Sequence, residues 1–161
     1  MKLYHGSDVI VETPQIRKPN RTLDYGSGFY TTTSFDQAEK WVRRKLGENT
    51  PFGYVCVYEI DEQELAILDV LRFDCPDERW LDFVMANRTD KEFEHTHDIV
   101  YGPVANDRVY AAFGLYESGV FNKQELIREL RAYKLVDQML FHTEKALGML
   151  NFVESMKIVL E

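Results

Sequence analysis

The chain has 161 residues, 19 lysines and arginines against 27 aspartates and glutamates, and a formal charge of −8. A composition 45% hydrophobic and 29% charged excludes a disordered or fibrous chain, and the length suits a single domain over residues 1–161. The acidic balance argues against bulk binding of duplex DNA by backbone neutralisation, and the absence of an apolar run near roughly 18 residues argues against a membrane span.

The predicted elements follow in chain order. Lys2 to His5 reads as a short strand, followed by a polar loop over residues 8–27. Phe29 to Thr33, aromatic and β-branched, reads as a second strand. Ser34 caps a helix in which Phe35, Ala38, Trp41, Val42 and Leu46 follow the helical period, with Gly47 ending it. Tyr54 to Ile60 is a strand, and Ala66 to Phe73 supplies another. Pro76 at a first helical position opens PDERWLDFVMANR. Asp98 to Val104 is strand-like, Asn106 to Tyr116 helical, and Asn122 caps a helix through Lys134. Gln138 to Phe141 is a strand, Thr143 caps a short helix, and Phe152 to Leu160 closes the chain as a strand. Because helices interrupt the strands without a regular βαβα alternation, the expected class is α+β.

Two cysteines, Cys56 and Cys75, are too few for a disulfide framework or a zinc cluster. Cys56 falls in an apolar run, the N-terminus lacks a signal-peptide core, and a reducing cytoplasm is the expected compartment.

Two segments carry chemistry. LYHGS, residues 3–7, puts an imidazole, a glycine amide and a hydroxyl at a strand end, which suits a ligand bearing an amide and ribose hydroxyls. A histidine closing a turn is the alternative. In DYGSGFYTTTSFDQAEKW, residues 24–41, Tyr30 and Trp41 flank one strand–helix turn. They either sandwich a flat heterocycle, at about 0.5–1.5 kcal/mol per aromatic pair beyond burial, or serve as core. The GSG itself is no dinucleotide fingerprint, since a third glycine and a preceding strand are missing.

Taken together, LYHGS and GSGFY followed by an aromatic-bearing helix resemble the first two signatures of the diphtheria-toxin/PARP class of ADP-ribosyltransferases. With DYGSGFYTTT, YGPVANDRVYA and DQMLFHTEKAL, the chain looks more narrowly like the bacterial DUF3990 family, toxins assigned to that superfamily. The resemblance implies a split two-sheet β-sandwich with inserted helices, NAD bound between the sheets, and no metal. It implies that His5 binds the nicotinamide-side ribose, and that the Gly6 backbone holds the carboxamide with Ser7 assisting. Tyr30 stacks on the nicotinamide ring and Trp41 covers its other face. It also implies transfer of ADP-ribose to an acceptor with release of nicotinamide, and a small antitoxin as partner. The class places a glutamate at a later strand start, where this chain has Gln138. A glutamine accepts a hydrogen bond from ribose but brings no charge to an oxocarbenium ion, a loss on the order of 10²–10³ in rate.

Strand alternation puts Gln138, Leu140 and His142 on one face and Asp137 on the other. Asp98 and Asp107 are therefore the candidates to replace the missing carboxylate, unless they are a turn residue and a helix cap. Arg17 and Arg21 are candidates for the NAD pyrophosphate or solvated loop charge. The HTH of residues 95–97 reads as a solvated loop rather than a zinc site, and His142 as either a satisfied strand histidine or one that faces the cleft beside Gln138. Hydrolysis of NAD, a non-catalytic NAD- or ADP-ribose-binding module, and a structural protein with the aromatic pair in its core are the competing functions.

Overall fold

The computed structural model describes every residue except Asn20, and at Asp107 the backbone alone. Among the described residues seven strands form one mixed sheet: β1 (Lys2–Ser7), β2 (Phe29–Thr32), β3 (Phe52–Glu59), β4 (Val70–Arg72), β5 (Ile99–Pro103), β6 (Asp137–Phe141) and β7 (Asn151–Val159). Their order across the sheet is β4-β5-β6-β2-β1-β3-β7, with β4 and β5 parallel and the other pairs antiparallel. Six helices among the same described residues complete the α+β fold: α1 (Phe35–Lys45), α2 (Glu62–Ala66), α3 (Glu78–Thr89), α4 (Asp107–Glu117), α5 (Lys123–Arg131) and α6 (Glu144–Leu147).

The expected two separate sheets are thus corrected to one hydrogen-bonded sheet, but that sheet is pinched at its middle. Strand β1 pairs with β3 along its whole length, from Lys2↔Glu59 to Ser7↔Tyr54, while its register with β2 is confined to Tyr4↔Thr32. Beyond Tyr4 the two strands diverge, and a strand pair that diverges leaves backbone polar groups without a ladder partner.

The packing explains why the pinch sits there. On one face α3, α4 and α5 cover the β5–β6–β2 half with Trp80, Leu81, Val84, Val109, Phe113, Leu126 and Leu130, all wholly buried with Leu140. On the same face α1 covers the β1–β3–β7 half through Ala38 and Val42 against Val55 and Ile158. The two groups of helices stand on either side of the β1/β2 boundary. The opposite face carries Leu3, Phe29, Cys56, Tyr58, Met139 and Phe141 under α6.

Local sequence accounts for most element ends. Ser34, Asp61, Asp77, Asn106, Asn122 and Thr143 are all N-caps whose side chains accept from the first helical turn. Pro76 does not occupy a first helical position, because Asp77 takes the cap and accepts from Trp80 N at 2.9 Å. Residues 66–73 are not one strand. Asp61 caps the short helix α2 and the strand begins only at Val70, where parallel pairing with Ile99 becomes available. The described residues of the 8–27 loop are irregular as expected, yet anchored: Tyr58 Oη donates to Val11 O at 2.6 Å, and Val11 and Ile16 pack on the core.

Candidate functional site

A cleft of about 1020 Å³ opens where β1 and β2 part, lined by both strands, the 8–24 loop and the exposed side of α1. That is the upper end of the range for small-molecule and cofactor sites. His5, Gly6, Ser7, Arg17, Arg21, Tyr30, Trp41 and Gln138 all line it. Residues separated by more than a hundred positions in sequence are therefore brought to one opening.

Gly6 is buried directly beneath α1, and the reason for glycine is steric. A Cβ there would lie 2.7 Å from Ala38 O, 2.9 Å from Val42 Cγ2 and 3.0 Å from Trp41 Cδ1. Extending the antiparallel register from Tyr4↔Thr32 puts Tyr30 across the gap from Gly6. Trp41, 42% exposed, borders Gly6 from above, with the Lys45 ammonium 4.6 Å from its ring centre. Neither ring is fully withdrawn into the core. Tyr30 is half-buried and its hydroxyl is fixed, donating to Gly26 O at 2.6 Å and accepting from Tyr25 N at 3.1 Å. Burial holds that phenol well above its usual range, so it stays neutral.

His5 points to the other side of β1, against the Phe29 ring at 4.3 Å. Burial lowers its pKa, so the ring is neutral near pH 7. Its Nδ1 lies 2.7 Å from Tyr30 O, which assigns the proton to Nδ1 and leaves Nε2 as an acceptor. This histidine fastens the two strands beyond the point where their ladder stops. Ser7 Oγ accepts from Val9 N at 3.3 Å and shapes the start of the loop.

Gln138 is 7% exposed and lies beside the Tyr25 hydroxyl. Tyr25 is wholly buried; its hydroxyl donates to Pro103 O and accepts from Trp80 Nε1, both at 2.8 Å. A Tyr25→Phe variant would leave a buried indole N–H and a carbonyl unpaired and free the Gln138 amide. The expected cost is about 2–4 kcal/mol, a fall in Tm of roughly 5–15 °C by calorimetry.

Asp98 is not in the cleft. It accepts from Thr143 Oγ1 at 2.7 Å and Asp69 N at 3.0 Å, bonds that hold its pKa below the usual range and tie β5 to the start of α6. Asp107 begins α4, and its side chain lies outside the described residues. The carboxylate that the sequence motifs did not single out is Asp24, which lines the cleft at 9% exposure. Arg88 Nη1 donates to its Oδ1 at 3.3 Å and Tyr110 Oη to its Oδ2 at 3.2 Å. Desolvation nonetheless leaves its pKa raised, and the Tyr110 phenol, buried beside it, is pushed up to about 12.

Residues 95–97 are loop, with Thr96 exposed, but the His95 ring is packed rather than solvated. The His95 ring stacks 4.0 Å from that of His142, and its Nε2 donates to Tyr25 O at 2.7 Å. His142 Nδ1 faces Ser27 O at 2.6 Å, so both histidines brace the turn that leads into Tyr30. Burial lowers the His95 pKa from 6.5 to about 4. Between those values the unfolded chain binds the extra proton, so this group's stabilisation is complete above pH 6.5 and declines as pH falls toward 4. Melting curves over that interval should show a falling Tm, and a His95→Gln variant should lose less of its own Tm on acidification.

Comparison with known proteins gives one family. The family described as "Protein of unknown function (DUF3990)" matches residues 1–152, and the chain belongs to it. No curated protein matches the chain. Among the described residues no helix is long and apolar enough to cross a membrane.

Proposed function

We propose that this member of the DUF3990 family binds NAD in the β1/β2 cleft and transfers its ADP-ribose to an acceptor, releasing nicotinamide. The observation that carries the reading is the parting of β1 from β2 at Gly6, with Tyr30 across the gap and Trp41 over the glycine. Such a slot takes a flat ring between aromatic side chains while open strand backbone meets a carboxamide.

In this reading the nicotinamide ring enters between Tyr30 and Trp41, and Gly6 lets the carboxamide reach the backbone. His5 Nε2 accepts from a ribose hydroxyl, an orientation fixed by the Nδ1 bond to Tyr30 O. Gln138, held beside Tyr25, offers the ribose a second polar contact. Arg17, Arg21, Arg44 and Lys45 line the same opening and supply positive charge for the pyrophosphate. The C1′–N bond then breaks with its electron pair passing to the ring nitrogen. The acceptor's lone pair closes on C1′, and the acceptor proton passes to water. Positioning accounts for most of what this site contributes to that sequence.

A Trp41→Ala variant is expected to weaken NAD binding about 2–10-fold, the loss of one stacking partner, with little change in Tm because the ring is 42% exposed. Titration calorimetry and melting curves measure the two effects.

One observation favours a second reading, a non-catalytic NAD- or ADP-ribose-binding module: the buried Gln138 is neutral where transfer chemistry benefits from charge. NAD labelled separately in its nicotinamide and adenylate parts, incubated with the protein and a bacterial lysate, separates the possibilities. Transfer gives free nicotinamide and adenylate label in a larger product; hydrolysis gives free ADP-ribose; a binding module gives neither. A toxin role with a small antitoxin partner rests on the family resemblance, as no residue of the cleft bears on it.

A further inference from the structure

A C1′–N bond that breaks ahead of acceptor attack leaves positive charge on the ribose ring, and a nearby anion in the cleft stabilises that charge more than any neutral group can. Gln138 is neutral. Of the described carboxylates lining the cleft, Asp8 and Glu12 lie on exposed loop, where water screens them. Asp24 is different: it is nine-tenths buried, on the segment that leads through Tyr25 and Gly26 to Tyr30. We propose that Asp24 is the carboxylate that stabilises the ribosyl cation in this cleft, taking the part that Gln138 cannot.

This assignment rests on the NAD reading above. Its support is geometric. Arg88 from α3 and Tyr110 from α4 each hold one Asp24 oxygen, leaving further lone-pair positions on the carboxylate for a ligand. Arg88 is itself fixed, its guanidinium 5.2 Å from the Tyr110 ring centre and 5.0 Å from that of Phe113, and its Nε is buried without a hydrogen-bond partner. A buried carboxylate braced by two side chains from two helices is a rigid anion, and a rigid anion acts without reorganising as charge develops. Bond-breaking leaves Asp24 chemically unchanged: the electron pair goes to the nicotinamide nitrogen, the acceptor closes on C1′, and the proton leaves to water.

The test compares nicotinamide release by the wild-type chain, Asp24→Asn, Gln138→Glu and the double variant, with NAD affinity and Tm measured for each. Asp24→Asn should lower turnover about 10²–10³-fold while NAD affinity changes less than about 5-fold. Gln138→Glu in the Asp24→Asn background should recover at least ten-fold of that loss, an outcome a purely structural aspartate would not give. Tyr110→Phe, which removes one hydrogen bond from the carboxylate, should move the acid limb of the rate profile to higher pH and guards against misfolding of Asp24→Asn. Turnover that survives Asp24→Asn, a loss that Gln138→Glu fails to recover, or an unmoved acid limb in Tyr110→Phe would overturn the assignment alone. A wild-type chain that releases no nicotinamide with any acceptor would overturn it together with the transferase reading.

Discussion

A Gly28→Ala substitution is expected to lower Tm by roughly 5–20 °C. Gly28 has φ of +146°, a conformation that side chains rarely adopt, and a Cβ there would stand 2.3 Å from Phe141 O and 2.7 Å from Leu140 Cδ1. The nearest obstacle is backbone, and that backbone belongs to β6 where Phe29 pairs with Phe141. Strain in φ and overpacking each cost about 1–3 kcal/mol, which together give roughly 2–6 kcal/mol for a domain of this size. Gly47→Ala is the control, since nothing lies within 4 Å of its Cβ position and its φ is not positive. It should leave Tm unchanged or raise it slightly. Thermal melts of the two variants decide the point.

The second large effect belongs to Tyr30, and two substitutions separate its two roles. Tyr30→Phe keeps the ring and loses the hydroxyl bonds to Gly26 O and Tyr25 N. It should lower stability by about 1–3 kcal/mol and change NAD affinity less than about five-fold. Tyr30→Ala removes the stacking surface as well. Lost burial and lost stacking total about 2–4 kcal/mol of binding, an affinity roughly 30-fold to 1000-fold weaker. Calorimetric titration of NAD into both variants, at a temperature where melts show them folded, tests this. Equal losses in the two variants would remove Tyr30 from the ligand site and leave it as a brace for the turn.

The sequence and the structure agree most closely where interactions are local. Helix starts are legible because caps and hydrophobic period act within a few residues, as at Ser34 and Asn122. Residues 66–73 mislead because strand β4 is only three residues long and owes its existence to pairing with β5, nearly thirty residues away. The pinch between β1 and β2 has no local signal at all. It follows from two groups of helices packing on separate halves of one sheet face.

The same division runs through the site. His5, Gly6, Tyr30 and Trp41 sit in short motifs whose residue types state their chemistry, and the cleft gathers them. Asp24 sits at the head of the DYGSG motif, yet its importance depends on Arg88 and Tyr110, which lie 64 and 86 residues further along. An acid before a glycine turn is ordinary in sequence; burial against an arginine is not, and only tertiary structure reveals it. His95 and His142 escape for a like reason, since each acts through a backbone carbonyl of the 25–27 turn.

The claim that NAD's nicotinamide lies between Tyr30 and Trp41 is open to a direct optical measurement. The chain has two tryptophans, Trp41 exposed in the cleft and Trp80 wholly buried with its N–H bonded to Tyr25. Titration of NAD should quench tryptophan emission saturably in the wild-type chain, and the quenching should vanish in Trp41→Phe while Trp80 still emits. No saturable change up to millimolar NAD, or the same change in Trp41→Phe, would contradict the placement of NAD in this cleft.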